Sequence, residues 1–178
     1  MSGMTESETS GDSLGLVADA KTAVSQRMEG IDIDAMQMVL LLYRVTNAIV
    51  YDLESSVHRP AGWSWSAFRL CFTLWVDGPL ELRAAARRTG MSKPAVTSLA
   101  NTLERQGIVQ RSGVEGDARG RRIQLTDHGS RKLVDVFHEH NLRERKWASA
   151  FTKEELETGT ALLRKLVETG QQPWVSHR

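Results

Sequence analysis

The sequence predicts a mainly α fold that carries one small β-hairpin. Apolar residues recur at helical spacing through several segments, each bounded by Ser, Thr, Gly or Pro. Only Val109–Ser112 and Arg122–Leu125 alternate, as two strands joined by the Gly-rich stretch Gly113–Gly120. A hydrophobic content of 40% over 178 residues is enough for a buried core.

The elements follow in order. Residues 1–30 open with MSGMTESETSGDS, which is acidic and polar and lacks the basic and apolar regions of a secretory signal. They read as a disordered tail with one short helix over Leu14–Met28. Asp34–Ser56 is a long helix. Met36, Leu40 and Tyr43 on one side, and Leu42, Val45, Ile49 and Leu53 on another, nearly encircle it with apolar groups. At roughly 30 Å or more, such a helix is hard for one small domain to cover, whereas a second subunit would cover it. Its apolar run is broken by Gln37, Arg44 and Asn47, so no membrane span is expected.

His58–Gly62 is a break. Ser64 or Ser66 caps a helix over Ala67–Val76, which Asp77-Gly78-Pro79 stops. Glu81–Thr89 is the next helix, stopped by Gly90. Ser92 caps another that runs to about Gln106, with Gly107 as its C-terminal turn. Thr126 caps a long helix to about Ala150. Thr152-Lys153-Glu154-Glu155 is a capping box for a last helix that ends near Gly170.

Overall charge is +1, but its distribution is uneven. Between Leu80 and Arg122, nine Lys/Arg face four Asp/Glu, a net +5 that leaves −4 for the rest. A basic centre between acidic ends suits phosphate binding by one segment. In the helix after Ser92, Val96, Leu99 and Leu103 form one apolar stripe, which faces a core. Ser92, Lys93, Ala95, Thr97, Ser98, Asn101 and Arg105 occupy the remainder, where short and polar groups can read base edges and phosphates. Ser92, Thr97 and Ser98 can donate to phosphate, and Lys93 adds charge at a helix N-terminus that already attracts anions. An ordinary amphipathic helix has the same pattern; the hairpin decides between the two readings. Its loop, GVEGDARGRR, presents Arg119, Arg121 and Arg122, which suit a narrow minor groove, and Asp117 is placed to brace Arg119.

The segment resembles the winged helix-turn-helix of the multiple-antibiotic-resistance regulator (MarR) family. The matching residues are Gly78-Pro79-Leu80, Ala86, Gly90-Met91-Ser92-Lys93, Val96-Thr97, Leu103-Glu104, Gly107-Ile108-Val109, Arg111, Asp117-x-Arg119, Leu125-Thr126 and Gly129. The flanking helices extend the likeness over about Ile33–Leu166. Ala85 and Thr89 depart from it, standing where the family usually has Leu and an apolar residue. The resemblance implies a homodimer. Residues 31–60 would form an N-terminal dimerisation helix, 61–126 the winged DNA-binding domain, 127–170 the C-terminal dimerisation helices and 171–178 a tail. It also implies that Arg111 and the wing meet double-stranded DNA at a pseudo-palindromic operator, and that a small effector binds, commonly aromatic or anionic. The expected function is a cytoplasmic transcriptional regulator that represses until its ligand releases it. The alternative is a winged-helix module for protein or RNA contacts without operator binding.

Trp63, Trp65 and Phe68 with Arg69 could enclose an aromatic acid, and His58 is near enough in sequence to join them. Packing of these aromatics into the core is the competing reading. Cys71, the one cysteine, lies in an apolar helix and reads as a buried thiol, which fits a reducing cytosol. His138 and His140 point to different faces, so no metal site is expected. There is no GxGxxG after a strand, P-loop, CxxC or HExxH, so neither catalysis nor a cofactor is expected.

Overall fold

The computed structural model describes the backbone of residues 8–114 and 117–175 and the side chains of residues 15–113 and 122–175. It has two compact units, Met1–Asp52 and Leu53–Arg178.

The first unit holds α1 (Glu8–Arg27) and nearly all of α2 (Ile33–Leu53). The helix expected from Leu14 therefore begins earlier, at Glu8. Asp32 starts α2 by accepting the Ala35 N–H at 2.9 Å. Val39, Tyr43 and Tyr51 of α2 are 59%, 67% and 70% exposed. The run Ile33–His58 contains an unburied window of mean hydropathy 1.3, the length and composition of a membrane span. Averaged along the helix, Gln37, Arg44 and Asn47 are outweighed by the apolar residues around them.

In the second unit, Glu54–His58 continue α2 as a π turn, with Arg59 N–H on Glu54 O at 2.9 Å. The extra residue in the turn swings the following side chains around the axis. Val57 and His58 are buried as a result. Apolar periodicity does not separate a π turn from an α turn, so a regular helix to Ser56 was expected here. Ser64, rather than Ser66, caps α3 (Trp65–Asp77), accepting the Ala67 N–H at 3.1 Å. α4 (Leu82–Thr89) ends on Gly90, whose φ of 66° is left-handed. α5 (Lys93–Arg105) starts from Ser92, which accepts the Ala95 N–H at 3.3 Å. Val96, Ala100 and Leu103 bury its inner face, with Leu99 partly covered.

The sheet is larger than the sequence suggests. β2 (Val109–Val114) and β3 (Asp117–Leu125) pair antiparallel, Val109 opposite Leu125. A two-residue strand, β1 (Leu80–Glu81), pairs with the other edge of β3. Of the expected loop Gly113–Gly120, Gly113, Val114 and Asp117 thus join the ladder, with a register shift between Gly113 and Val114, because backbone pairing does not need alternating side chains. β1 is too short to leave a periodic signal.

α6 (Asp127–Ala148) is joined to the α5–β2 turn through Thr126. Thr126 N–H donates to Ile108 O at 3.0 Å, its hydroxyl donates to Gly107 O at 2.6 Å, and the same oxygen accepts Gly129 N–H at 2.9 Å. α7 (Lys153–Thr169) has the expected capping box and buries no residue.

The core gathers Phe68, Leu70, Cys71 and Leu74 of α3, Val96 and Leu103 of α5, Ile108, Val109 and Ile123 of the sheet region, and Leu133 of α6. Ala85 and Thr89, the two departures from the family pattern, are both buried. The Thr89 hydroxyl donates to Ala85 O at 2.7 Å, so the polar group is satisfied without loosening the helix.

Gly129 is the tightest point. A Cβ there would lie 2.0 Å from Ile108 O, a backbone atom. Gly129→Ala is expected to destabilise the fold by about 2–3 kcal/mol through overpacking. Urea denaturation checks it, and an unchanged midpoint would contradict the close packing of α6 on this turn.

Candidate functional site

The outer face of α5 carries Ser92, Lys93, Ala95, Ser98, Asn101 and Arg105, all exposed, with Thr97 half-buried. Ser92 uses an oxygen lone pair for capping, so its hydroxyl proton stays available. Thr97 differs from expectation. Its hydroxyl donates to Lys93 O at 2.9 Å, which commits the proton meant for phosphate and leaves an acceptor. Arg105 lies loosely over its own helix, with Nε 3.4 Å from Asn101 O.

Arg111, expected at the DNA, has protein partners in this structure. It reaches from β2 back to α5, pairing with Glu104 and donating to Asn101 Oδ1. These bonds fix the wing's first strand against the helix. Asn101 thereby spends its acceptor and keeps its NH2 donors facing outward. The side chains of Asp117, Arg119 and Arg121 lie outside the described residues. Arg122, next to them, is exposed and stands opposite Glu81 and Ser112.

A cavity of about 390 Å³ lies among α3, α4 and α6. Trp65, Phe68, Phe72 and Phe137 supply its aromatic wall; Arg69 and Arg88 supply cations; Thr73, Thr89, His140 and Glu144 complete it. Of the residues singled out from sequence, Trp65, Phe68 and Arg69 are brought together here. Trp63 is not: it is buried in the core with Lys132 Nζ 5.3 Å from its ring centroid. His58 stands behind the wall, stacked on Phe68 at 4.4 Å and Trp65 at 5.4 Å between centroids. The α6 contribution went unseen in the sequence, although Phe137, His140 and Glu144 recur at i, i+3 and i+7 and so share a face. On α3 the same spacing joins Trp65, Phe68, Arg69 and Phe72.

Both arginines are already engaged. Arg88 grips Asp77 through two bonds of 2.5 and 2.7 Å, which holds the Asp77 carboxyl below the usual carboxylate range. Arg69 donates to Thr89 O.

His58 Nε2 lies 3.0 Å from His140 Nδ1, and His140 Nε2 lies 3.1 Å from Glu144 Oε1. With Glu144 accepting from His140 Nε2–H, His140 Nδ1 must accept from His58 Nε2–H. This leaves His58 Nδ1 an unpaired acceptor. Burial disfavours the charged form of both rings. Burial pushes His58 down to about 4, helped by repulsion from His140. Burial also lowers His140, with Glu144 opposing. Cys71 is fully buried, and burial pushes its thiol up to about 12, so it stays protonated and inert.

An unfolded His titrates near 6.5. Between that pH and about 4, the unfolded chain binds more protons than the folded one at His58, so stability falls as pH falls through this window. Urea midpoints at pH 7.5 and 5 are expected to drop in the wild type and to drop less in His58→Phe. Equal losses in both would remove His58 as the source.

A family model described as MarR family matches residues 76–120, the stretch from the end of α3 into the wing. The HTH-type transcriptional regulator YwaE of Bacillus subtilis, itself uncharacterized, is 28% identical over 141 residues, covering 79% of this chain and 82% of YwaE. NadR, solved with 4-hydroxyphenylacetate, shares the fold at a TM-score of 0.62 and 19% identity, covering 79% of this chain and 95% of its own. MepR of Staphylococcus aureus, solved with DNA, does so at 0.65 and 20% identity, covering 73% and 96%. Residues 76–120 thus match the MarR family, and over most of its length the chain is similar to a protein described as an HTH-type transcriptional regulator.

Proposed function

We propose that the protein is a cytoplasmic, homodimeric repressor that binds a pseudo-palindromic duplex operator and is released by a small aromatic acid. The observation that carries this reading is the pairing of two sites within one unit. One is a helix with a buried inner face and an exposed Ser92–Arg105 outer face. The other is an aromatic and cationic cavity that touches the preceding helix. The DNA complex of MepR and the 4-hydroxyphenylacetate complex of NadR supply the precedents for the two ligands. A protein- or RNA-interaction module would leave the cavity without a purpose.

Ser92, Lys93, Ala95, Thr97, Ser98, Asn101 and Arg105 form the proposed major-groove face, with Thr97 accepting rather than donating. Arg111 positions the wing, and Asp117, Arg119 and Arg121 take the minor groove. Trp65, Phe68 and Arg69 hold the effector, and His58 supports the wall from behind.

The dimer reading rests on exposed apolar area. Tyr43 and Tyr51 of α2 and Leu162, Leu163 and Val167 of α7 are each at least half exposed. Surfaces of this kind are covered in obligate dimers. Twofold symmetry then sets half-sites about one helical turn apart.

Lys93→Ala is expected to weaken operator and nonspecific DNA alike and to reduce the log–log salt slope by about one. Arg119→Ala is expected to cost operator affinity without changing the melting temperature. Mobility shifts across a salt series, read beside thermal denaturation, check both; if only stability changes, the assignments fail. Leu163→Asp is expected to shift the protein from dimer to monomer in sedimentation velocity, and an unshifted peak would take α7 out of the interface.

A further inference from the structure

We infer that Arg69 is the residue through which an aromatic monocarboxylate in the cavity acts on the DNA-reading helix. The ligand carboxylate and the C-terminal carbonyl of α4 compete for one guanidinium. This rests on the reading of the cavity as an effector site.

α3 and α4 are tied together by one arginine from each. Arg88, in the last turn of α4, holds Asp77, the last residue of α3, through both carboxylate oxygens. Arg69 of α3 donates to the carbonyl of Thr89, the last residue of α4. That carbonyl lies at the negative end of a helix, where acceptors lack intrahelical donors. Gly90 turns directly from it, and a Cβ built on Gly90 would meet Arg69 Nη2 at 3.7 Å. Two residues later Ser92 caps α5, and Lys93 begins it. Arg69 therefore sets where α4 stops, and through Gly90 and Met91 it sets where the DNA-reading helix begins.

Both arginines line the cavity, yet they are not equivalent. Arg88 is already saturated by a carboxylate in fork geometry. Among the described residues Arg69 holds a neutral carbonyl, whereas a carboxylate brings a full opposite charge and two acceptor oxygens to the guanidinium. An entering carboxylate gains most by taking Arg69 from Thr89. Trp65, Phe68, Phe72 and Phe137 supply faces for a ring. Glu144 also lines the cavity, so a second carboxylate on the ligand would meet a like charge. The class that fits is a planar ring with one carboxylate. Once Arg69 turns to it, the Thr89 carbonyl loses its donor, the Gly90–Ser92 turn loosens and α5 loses its fixed start.

Hydrogen exchange of the intact protein, followed by mass spectrometry over residues 89–96, tests this without an operator. The probes are 4-hydroxyphenylacetate and its neutral amide, with binding read by quenching of Trp65 against a Trp65→Phe control. Exchange in this segment is expected to rise about tenfold in ligand-free Arg69→Ala and in wild type with the acid, but not with the amide. Wild-type exchange in Arg69→Ala, or quenching by the acid with no change in the segment, would overturn the coupling and leave the effector site standing. No quenching by the acid in wild type would overturn both.

Discussion

The exit of α5, the entry of β2 and the start of α6 meet at one junction, where Thr126 closes on the turn between α5 and β2. Its N–H and hydroxyl hold the carbonyls of Ile108 and Gly107, and its oxygen starts α6 by capping Gly129. Gly129 then lets α6 press onto Ile108 closely enough to leave no room for a methyl group. The end of α5, the first strand of the sheet's hairpin and the start of α6 are thereby fixed within a few residues. Arg111, Glu104 and Asn101 extend the junction outward by tying β2 to α5. Base reading needs a helix and a wing that hold their mutual angle, and these bonds hold it.

At the other end of α5 the constraint is softer. Its start is set by a short helix, a glycine turn and the bond from Arg69 to the Thr89 carbonyl. One end is packed backbone against backbone, and the other is held by a side chain that lines a cavity. A ligand can alter the second without unfolding the first. The buried histidine pair behind the cavity suits this arrangement. A charged imidazole beside Phe68 would be costly to bury, and it would compete with the arginines for an anion.

Much of this was legible in the sequence, for identifiable reasons. The caps at Ser92, Thr126 and Thr152 and the stops at Gly78, Gly90 and Gly107 were readable because each is a local rule carried by one or two side chains. The inner and outer faces of α5 followed from spacing alone. The π turn did not, because Val57 and His58 fit an α-helical pattern as well. Strand β1 did not, because two residues carry no period. The ties of Arg111 to Glu104 and Asn101 are not legible either, since no local pattern reveals that these residues stand across from it. The cavity was half visible. The α3 stripe of Trp65, Phe68, Arg69 and Phe72 can be read by its spacing, but its meeting with Phe137, His140 and Glu144 of α6 is tertiary. Trp63 was included for its chemistry and excluded by its direction, since capping by Ser64 starts a new helix just beyond it.

The apolar helix α2 and the exposed α7 pose one physical problem with two solutions. By length and hydropathy α2 could enter a bilayer, where its apolar side chains would be at home. Arg44 and Asn47, near the middle of that run, would then sit at depth, where polar groups are costly unless paired. Against a second subunit the same residues can stay at the rim while Tyr43, Tyr51 and their neighbours are covered. The C-terminal end of the chain carries a matching excess of exposed leucine and valine on α7, which a membrane-spanning α2 would leave in water. The exposed apolar area on α2, and separately on α7, is the constraint that the proposed twofold pairing answers.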